Sequence, residues 1–111
     1  MPDTPKHSVS VAGVVVHGDG RVLAVRRRDN QHWEPPGGIL ELAETFDQGV
    51  RRKVFEETGI TVRVERLSGV YQNLPRGIVA LVFRCSPLGG RLRMTDVACL
   101  QQVGHGVVGR D

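Results

Sequence analysis

The sequence predicts a single α/β domain, and three observations carry that prediction. A capped amphipathic helix occupies the middle of the chain, apolar strand segments lie on both sides of it, and turns rich in Gly and Pro separate the segments. A chain of 111 residues with 40% hydrophobic residues is long enough for one modest core and short for two. Residues 1–111 are therefore read as one domain.

The elements follow in order. Val9 to Val16 is β-branched and apolar enough for a buried strand, His17-Gly18-Asp19-Gly20 supplies a tight turn, and Val22 to Arg26 returns, which predicts a β-hairpin. DNQHWEPPGG, from Asp29 to Gly38, is turn chemistry throughout and predicts an ordered loop: Pro35 and Pro36 stiffen it, and Gly37-Gly38 permits backbone geometry closed to other residues. The helix is predicted from Phe46 to Thr58. Thr45 and Gln48 form the Thr-x-x-Gln capping-box pattern at its start, and Gly59 is a suitable terminator. Phe46, Val50 and Val54 give it an apolar stripe, while Gly49, costing about 1 kcal/mol against alanine in a helix, implies close approach to neighbouring backbone.

Ile60 to Val64 and Leu67 to Tyr71 read as strand, Gln72 to Gly77 as a loop, and Ile78 to Arg84 as a buried central strand. Gly89-Gly90 is expected to turn the chain into Arg91 to Met94. From about residue 95 to 111 neither a helical nor an alternating period is present, and the tail is read as irregular.

Composition narrows the function. There is no run of 18 apolar residues and no apolar segment behind the polar start MPDTPKHS, so a soluble, cytoplasmic protein without a membrane partner is expected. Cys85 and Cys99 are too few for a disulfide framework and lack zinc-ligand spacing. The formal charge of +3 would attract phosphate polyanions. The arginines are scattered, however, with few aromatic residues among them to stack on bases, so long nucleic acid is not the expected partner, and a small anionic ligand or simply a solvated basic surface fits as well. Dimerisation is not legible, and a homodimer is left open.

Cleavage of a phosphoanhydride calls for metal ions to neutralise phosphate oxygens, and hard cations call for clustered oxygen ligands. On a helix, positions 53, 56 and 57 fall within an arc of roughly 100°, so Glu56 and Glu57 share a face with Lys53 beside the Gly-rich loop. An isolated Glu-Glu pair is ordinarily a solvated helix end. The setting here is more specific. GILELAETFDQGVRRKVFEETGI has Gly38, Glu44, Arg52, Val54, Glu56, Glu57, Gly59 and Ile60 at the spacing of the 23-residue box of Nudix hydrolases, which it resembles at all but one specified position. Lys53 stands where that box has a glutamate. The upstream Trp33 and Pro36-Gly37-Gly38 also resemble the usual entry into the box.

The resemblance implies a Nudix-type α/β/α sandwich with a mixed β-sheet. It also implies a hydrolase that splits the diphosphate bond of a nucleoside diphosphate derivative with Mg2+ or Mn2+. Carried over by position, Glu56 and Glu57 are implied metal ligands, with a backbone carbonyl of Gly37 or Gly38 as a further oxygen. Gly38, Glu44, Arg52 and Gly59 are implied to be structural, Glu44 and Arg52 bracing the junction of loop and helix. For Glu44 alone, an acidic residue favoured at a helix N-terminus is an equal reading. Arg26 and Arg28, on one side of a strand, are weaker candidates for contacting substrate phosphate, a solvated edge being the commoner explanation.

Two departures qualify these expectations. Replacing a glutamate by Lys53 changes the charge by two units beside a divalent ion, a penalty on the order of 10 kcal/mol before relaxation at an effective dielectric near 20. The lysine can relieve it by swinging to solvent, or by pairing with Glu56 or Glu57 and filling the metal's place. Metal affinity and activity are therefore expected to be impaired. A catalytically silent domain binding a nucleotide or a protein is the alternative. The second departure is the tail, where the family's acidic loop and closing helix are not legible and the helix is expected to be missing or altered. A truncated or frame-shifted terminus would explain this, and Asp96 is the acidic candidate nearest the expected loop.

Overall fold

The computed structural model describes residues 3–92, 97–103 and 106–107. Among the described residues, eight strands and one helix follow one another: β1 (Ser8–Val15), β2 (Arg21–Arg26), β3 (Trp33–Glu34), β4 (Gly37–Ile39), α1 (Phe46–Thr58), β5 (Ile60–Asn73), β6 (Ile78–Gly90), β7 (Val97–Val103) and β8 (Gly106–Val107). They form two four-stranded sheets, ordered β4-β1-β6-β5 and β3-β2-β7-β8. The first is mixed, as expected: β1 runs parallel to β6 and antiparallel to β4, and β5 is antiparallel to β6.

The hairpin expectation needs correction. The turn forms, with the His17 N–H donating to the Arg21 carbonyl at 2.9 Å, but beyond a single Val16↔Val22 bridge the two strands part. Each finds its partners in a different sheet, β1 with β4 and β6 and β2 with β3 and β7. The loop expected from Asp29 to Gly38 also contains two short strands. Trp33 and Glu34 pair with Arg26 and Val25 of β2, and Gly37 to Ile39 pair with β1. Gly37 and Gly38 do not use a left-handed backbone; among the described residues the positive-φ glycines are Gly20, Gly59, Gly77 and Gly90. What they require is room, since a Cβ on Gly37 would run into the Val11 carbonyl and Ala12.

The helix has the predicted bounds, and its capping box is complete in both directions. It ends at Gly59, whose φ of 82° belongs to the left-handed region that glycine tolerates. Its buried face is Gly49, Val50, Val54 and Thr58, while Phe46 stays about half exposed and packs against Phe83. Gly49 does mark a close approach, to side chains of Leu40, Glu44 and Val11 rather than to backbone. The core gathers Val11, Val15, Leu23, Val50, Val54, Ile60, Val62 and Cys85, so α1 and strands of both sheets contribute to it. Burial pushes the Cys85 thiol up to about 12.

β5 is one continuous strand whose pairing shifts register between Thr61 and Val62, Val64 and Arg66, and Leu67 and Gly69. β6 is central, as expected, but Ile78 to Arg84 are only half-buried. Gly89 and Gly90 do not turn the chain away from the sheet; they end β6, paired with Thr61 and Ile60. The tail is not irregular where it is described: β7 lies antiparallel to β2 and β8 to β7. Asp96 lies outside the described residues, as does Met94.

Candidate functional site

The site is built at the junction of β4, the loop after it and α1. Leu40 N–H donates to the Val9 carbonyl at 2.8 Å, so the chain stays fixed to β1 as it leaves β4. Ala43 then takes a left-handed φ of 65°, unusual for a residue with a Cβ, immediately before Glu44. The Glu44 carboxylate accepts from the Glu41 N–H at 2.9 Å and from Arg52 Nε and Nη2 at 2.6 and 3.0 Å. This two-pronged pair ties the loop to the second turn of α1. The Arg52 guanidinium, with the N–H of Glu41, holds the Glu44 carboxyl down at about 2. The same pairing raises the Arg52 guanidinium further above its ordinary value.

Arg52 makes further contacts. It donates to the Ile39 carbonyl and to Glu56 Oε1, both at 3.3 Å, and lies 3.8 Å from Glu41 Oε2. Lys53, one residue along, has its ammonium 3.5 Å from Glu57 Oε2 and 3.8 Å from Glu56 Oε1. Its stem lies over Gly38, where a Cβ would collide with Lys53 Cε and Nζ. The other oxygen of Glu57, Oε1, accepts from the Gly37 N–H at 3.1 Å.

The structure thus brings together Gly37, Gly38, Glu44, Arg52, Lys53, Glu56 and Glu57, all singled out from sequence, and adds Glu41. The hydrogen bond from Gly37 to Glu57 spans 20 residues and had no sequence signal. Glu41 had only a faint one, an acidic residue three before Glu44. Arg26 ends β2, its guanidinium 5.6 Å from the centre of the Trp33 ring. Arg28 is not on that strand. It lies in the turn that follows, closed by the Gln31 N–H to the Arg27 carbonyl at 3.0 Å.

As arranged, these side chains do not fit a divalent cation. Among the described residues no group of three or more His, Cys, Asp or Glu is placed to hold one. The space shared by the Glu56 and Glu57 carboxylates faces an ammonium instead. A metal there would need oxygen at about 2.0 to 2.6 Å and would be repelled by Lys53.

The NUDIX domain model matches residues 6–101. A MutT-like protein of Streptomyces ambofaciens is 69% identical over 86 residues, covering 78% of this chain and 56% of that protein. An ADP-ribose pyrophosphatase of Methanocaldococcus jannaschii is 35% identical over 98 residues, covering 82% of this chain and 57% of that protein. The chain therefore spans a little over half the length of these curated relatives. Among solved structures, a NUDIX hydrolase from Nitrosomonas europaea superposes with a TM-score of 0.77 at 24% identity, covering 89% of this chain and 60% of that one. That likeness is one of fold.

Proposed function

This chain belongs to the Nudix family, and we propose that it is a diphosphate hydrolase domain for a nucleoside diphosphate linked to another group, with turnover held low by Lys53. The observation that carries the second half is the Lys53 ammonium lying within 3.8 Å of both Glu56 and Glu57. The substrate class is supported by the Methanocaldococcus relative named an ADP-ribose pyrophosphatase. In the reaction the oxygen of water bonds to one phosphorus and the bond from that phosphorus to the bridging oxygen breaks, so each product leaves with a phosphate.

Glu56 and Glu57 are the proposed metal ligands, with a carbonyl of Gly37 or Gly38 beside them and Mg2+ or Mn2+ as the ion. Because the ammonium already faces both carboxylates, no step is assigned to a bound metal here. Glu44 and Arg52 are positioning residues that hold the loop against the helix. Arg26 and Arg28 are proposed contacts for substrate phosphate, supported only by their charge.

The test is a panel of nucleoside triphosphates, nucleotide sugars and dinucleotides with Mg2+ or Mn2+, run on this chain and on Lys53→Glu. Lys53→Glu is expected to hydrolyse at least one class about 100-fold or more faster, the scale on which placed catalytic groups act. Failure of both proteins on every class contradicts the hydrolase reading. A second reading, a silent domain that binds nucleotide, draws on the same lysine: its positive charge stands where a metal's would. That reading predicts nucleotide binding unchanged by a chelator.

A further inference from the structure

We infer that Lys53 is a tethered cation that blocks its own site: this chain's departure from its family is an occupied place as well as a missing carboxylate. The inference deepens the reading of Glu56 and Glu57 given above and rests on it. Arg52 pairs with Glu44 at 2.6 Å and with Glu56 at 3.3 Å, while among the described residues Lys53 is the cation placed between Glu56, at 3.8 Å, and Glu57, at 3.5 Å. The side chain is 22% exposed, so it lies along the surface rather than extending into solvent. Gly38 makes its berth, since any side chain there would meet the lysine stem. Glu57 is anchored from the other side by the Gly37 N–H and presents its second oxygen to the ammonium.

Two consequences separate an occupied place from a missing ligand. If only a carboxylate were lacking, a small neutral residue at position 53 would bind metal no better than lysine. If the ammonium is the obstacle, that same neutral residue releases Glu57 Oε2, leaves Glu56 with Arg52 and removes a repelling charge, without supplying any ligand. Arginine at position 53, by contrast, keeps the charge and the obstruction.

The experiment is a Mn2+ titration of the full chain without nucleotide, read by calorimetry and by the paramagnetic resonance of free Mn2+, for the unmodified protein, Lys53→Ala, Lys53→Arg and Lys53→Glu. Lys53→Ala is expected to bind Mn2+ at least about tenfold more tightly than the unmodified chain, and its melting temperature to rise with added Mn2+ as bound ligand stabilises the folded state. Lys53→Arg is expected to match the unmodified chain. Binding by Lys53→Ala no tighter than by the unmodified chain overturns the inference. If Lys53→Glu alone then gains affinity, the defect is only the missing carboxylate; if neither gains, the two carboxylates do not form a cation site. Circular dichroism checks each fold, and Lys53→Gln takes the place of Lys53→Ala should the latter not fold. Failure of the hydrolase reading looks different: Lys53→Glu would bind Mn2+ and hydrolyse nothing in the panel.

Discussion

Arg52 and Lys53 are adjacent cations on one helix with separate tasks. Arg52 reaches back eight residues to Glu44 and fixes the loop, whereas Lys53 reaches forward to the two glutamates that follow. The Arg52 pairing has a consequence that pH can read. The Glu44 carboxyl titrates at about 2 in the fold against an ordinary value of 4.5, so its contribution to stability is complete above about pH 4.5 and is lost as pH falls toward 2. Glu44→Gln is therefore expected to melt below the unmodified protein at pH 7, with the gap shrinking as pH falls through that window. Thermal melts of both proteins between pH 7 and pH 2 check this, and a gap independent of pH would contradict it. The box residues were legible at this scale because their spacing is specific. The Glu57 contact with Gly37 and the lysine's seat on Gly38 were not, because both depend on how the loop folds back over the helix.

At the scale of elements, α1 was the most legible part of the molecule. Its start is encoded by Thr45 and Gln48 and its end by Gly59, and all three signals are local. Thr45→Ala is expected to cost about 1 kcal/mol, measurable by chemical denaturation at unchanged slope. The helix also packs on β1 without slack: a Cβ on Gly13 would come within 3.0 Å of Val54 Cγ2 and 3.2 Å of both Cys85 Sγ and Val50 Cγ1. Gly13→Ala should therefore destabilise by roughly 1 to 3 kcal/mol through overpacking; a variant as stable as the parent would show that this contact is loose. The strands were less legible. β1 and β2 read as a hairpin because the turn between them is genuine, yet which strand each one joins is decided by partners 60 or more residues away, Val79 to Cys85 for β1 and Val97 to Gln101 for β2. The short strands β3 and β4 were read as loop because Pro and Gly dominate their local signal, while their pairing with β2 and β1 is tertiary.

For the molecule as a whole, one core serves both sheets and the helix, with Leu23 of the second sheet buried among residues of the first. Cys85 lies within that core at no exposure, with its thiol shifted up to about 12. It should report global opening: in a Cys99→Ser variant at pH 8, a thiol reagent is expected to label Cys85 only as fast as the protein unfolds, and rapid labelling in native buffer would mean that the core is open. The α/β class was legible from periodicity, whereas the mixed sheet was implied by the family resemblance. The strand character of Val97–Val103 was not legible, since its alternation is weak and its assignment to the sheet comes from lying beside β2.

The central claim is that a Nudix diphosphate site is present in this chain and restrained by Lys53. It is tested most directly by the kcat/KM of the unmodified chain and of Lys53→Glu, measured side by side with Mg2+ on the best substrate of the panel. A gain of about 100-fold or more in Lys53→Glu is the predicted result. Equal rates in the two proteins would contradict the claim, because Lys53 would then impose no restraint on the site.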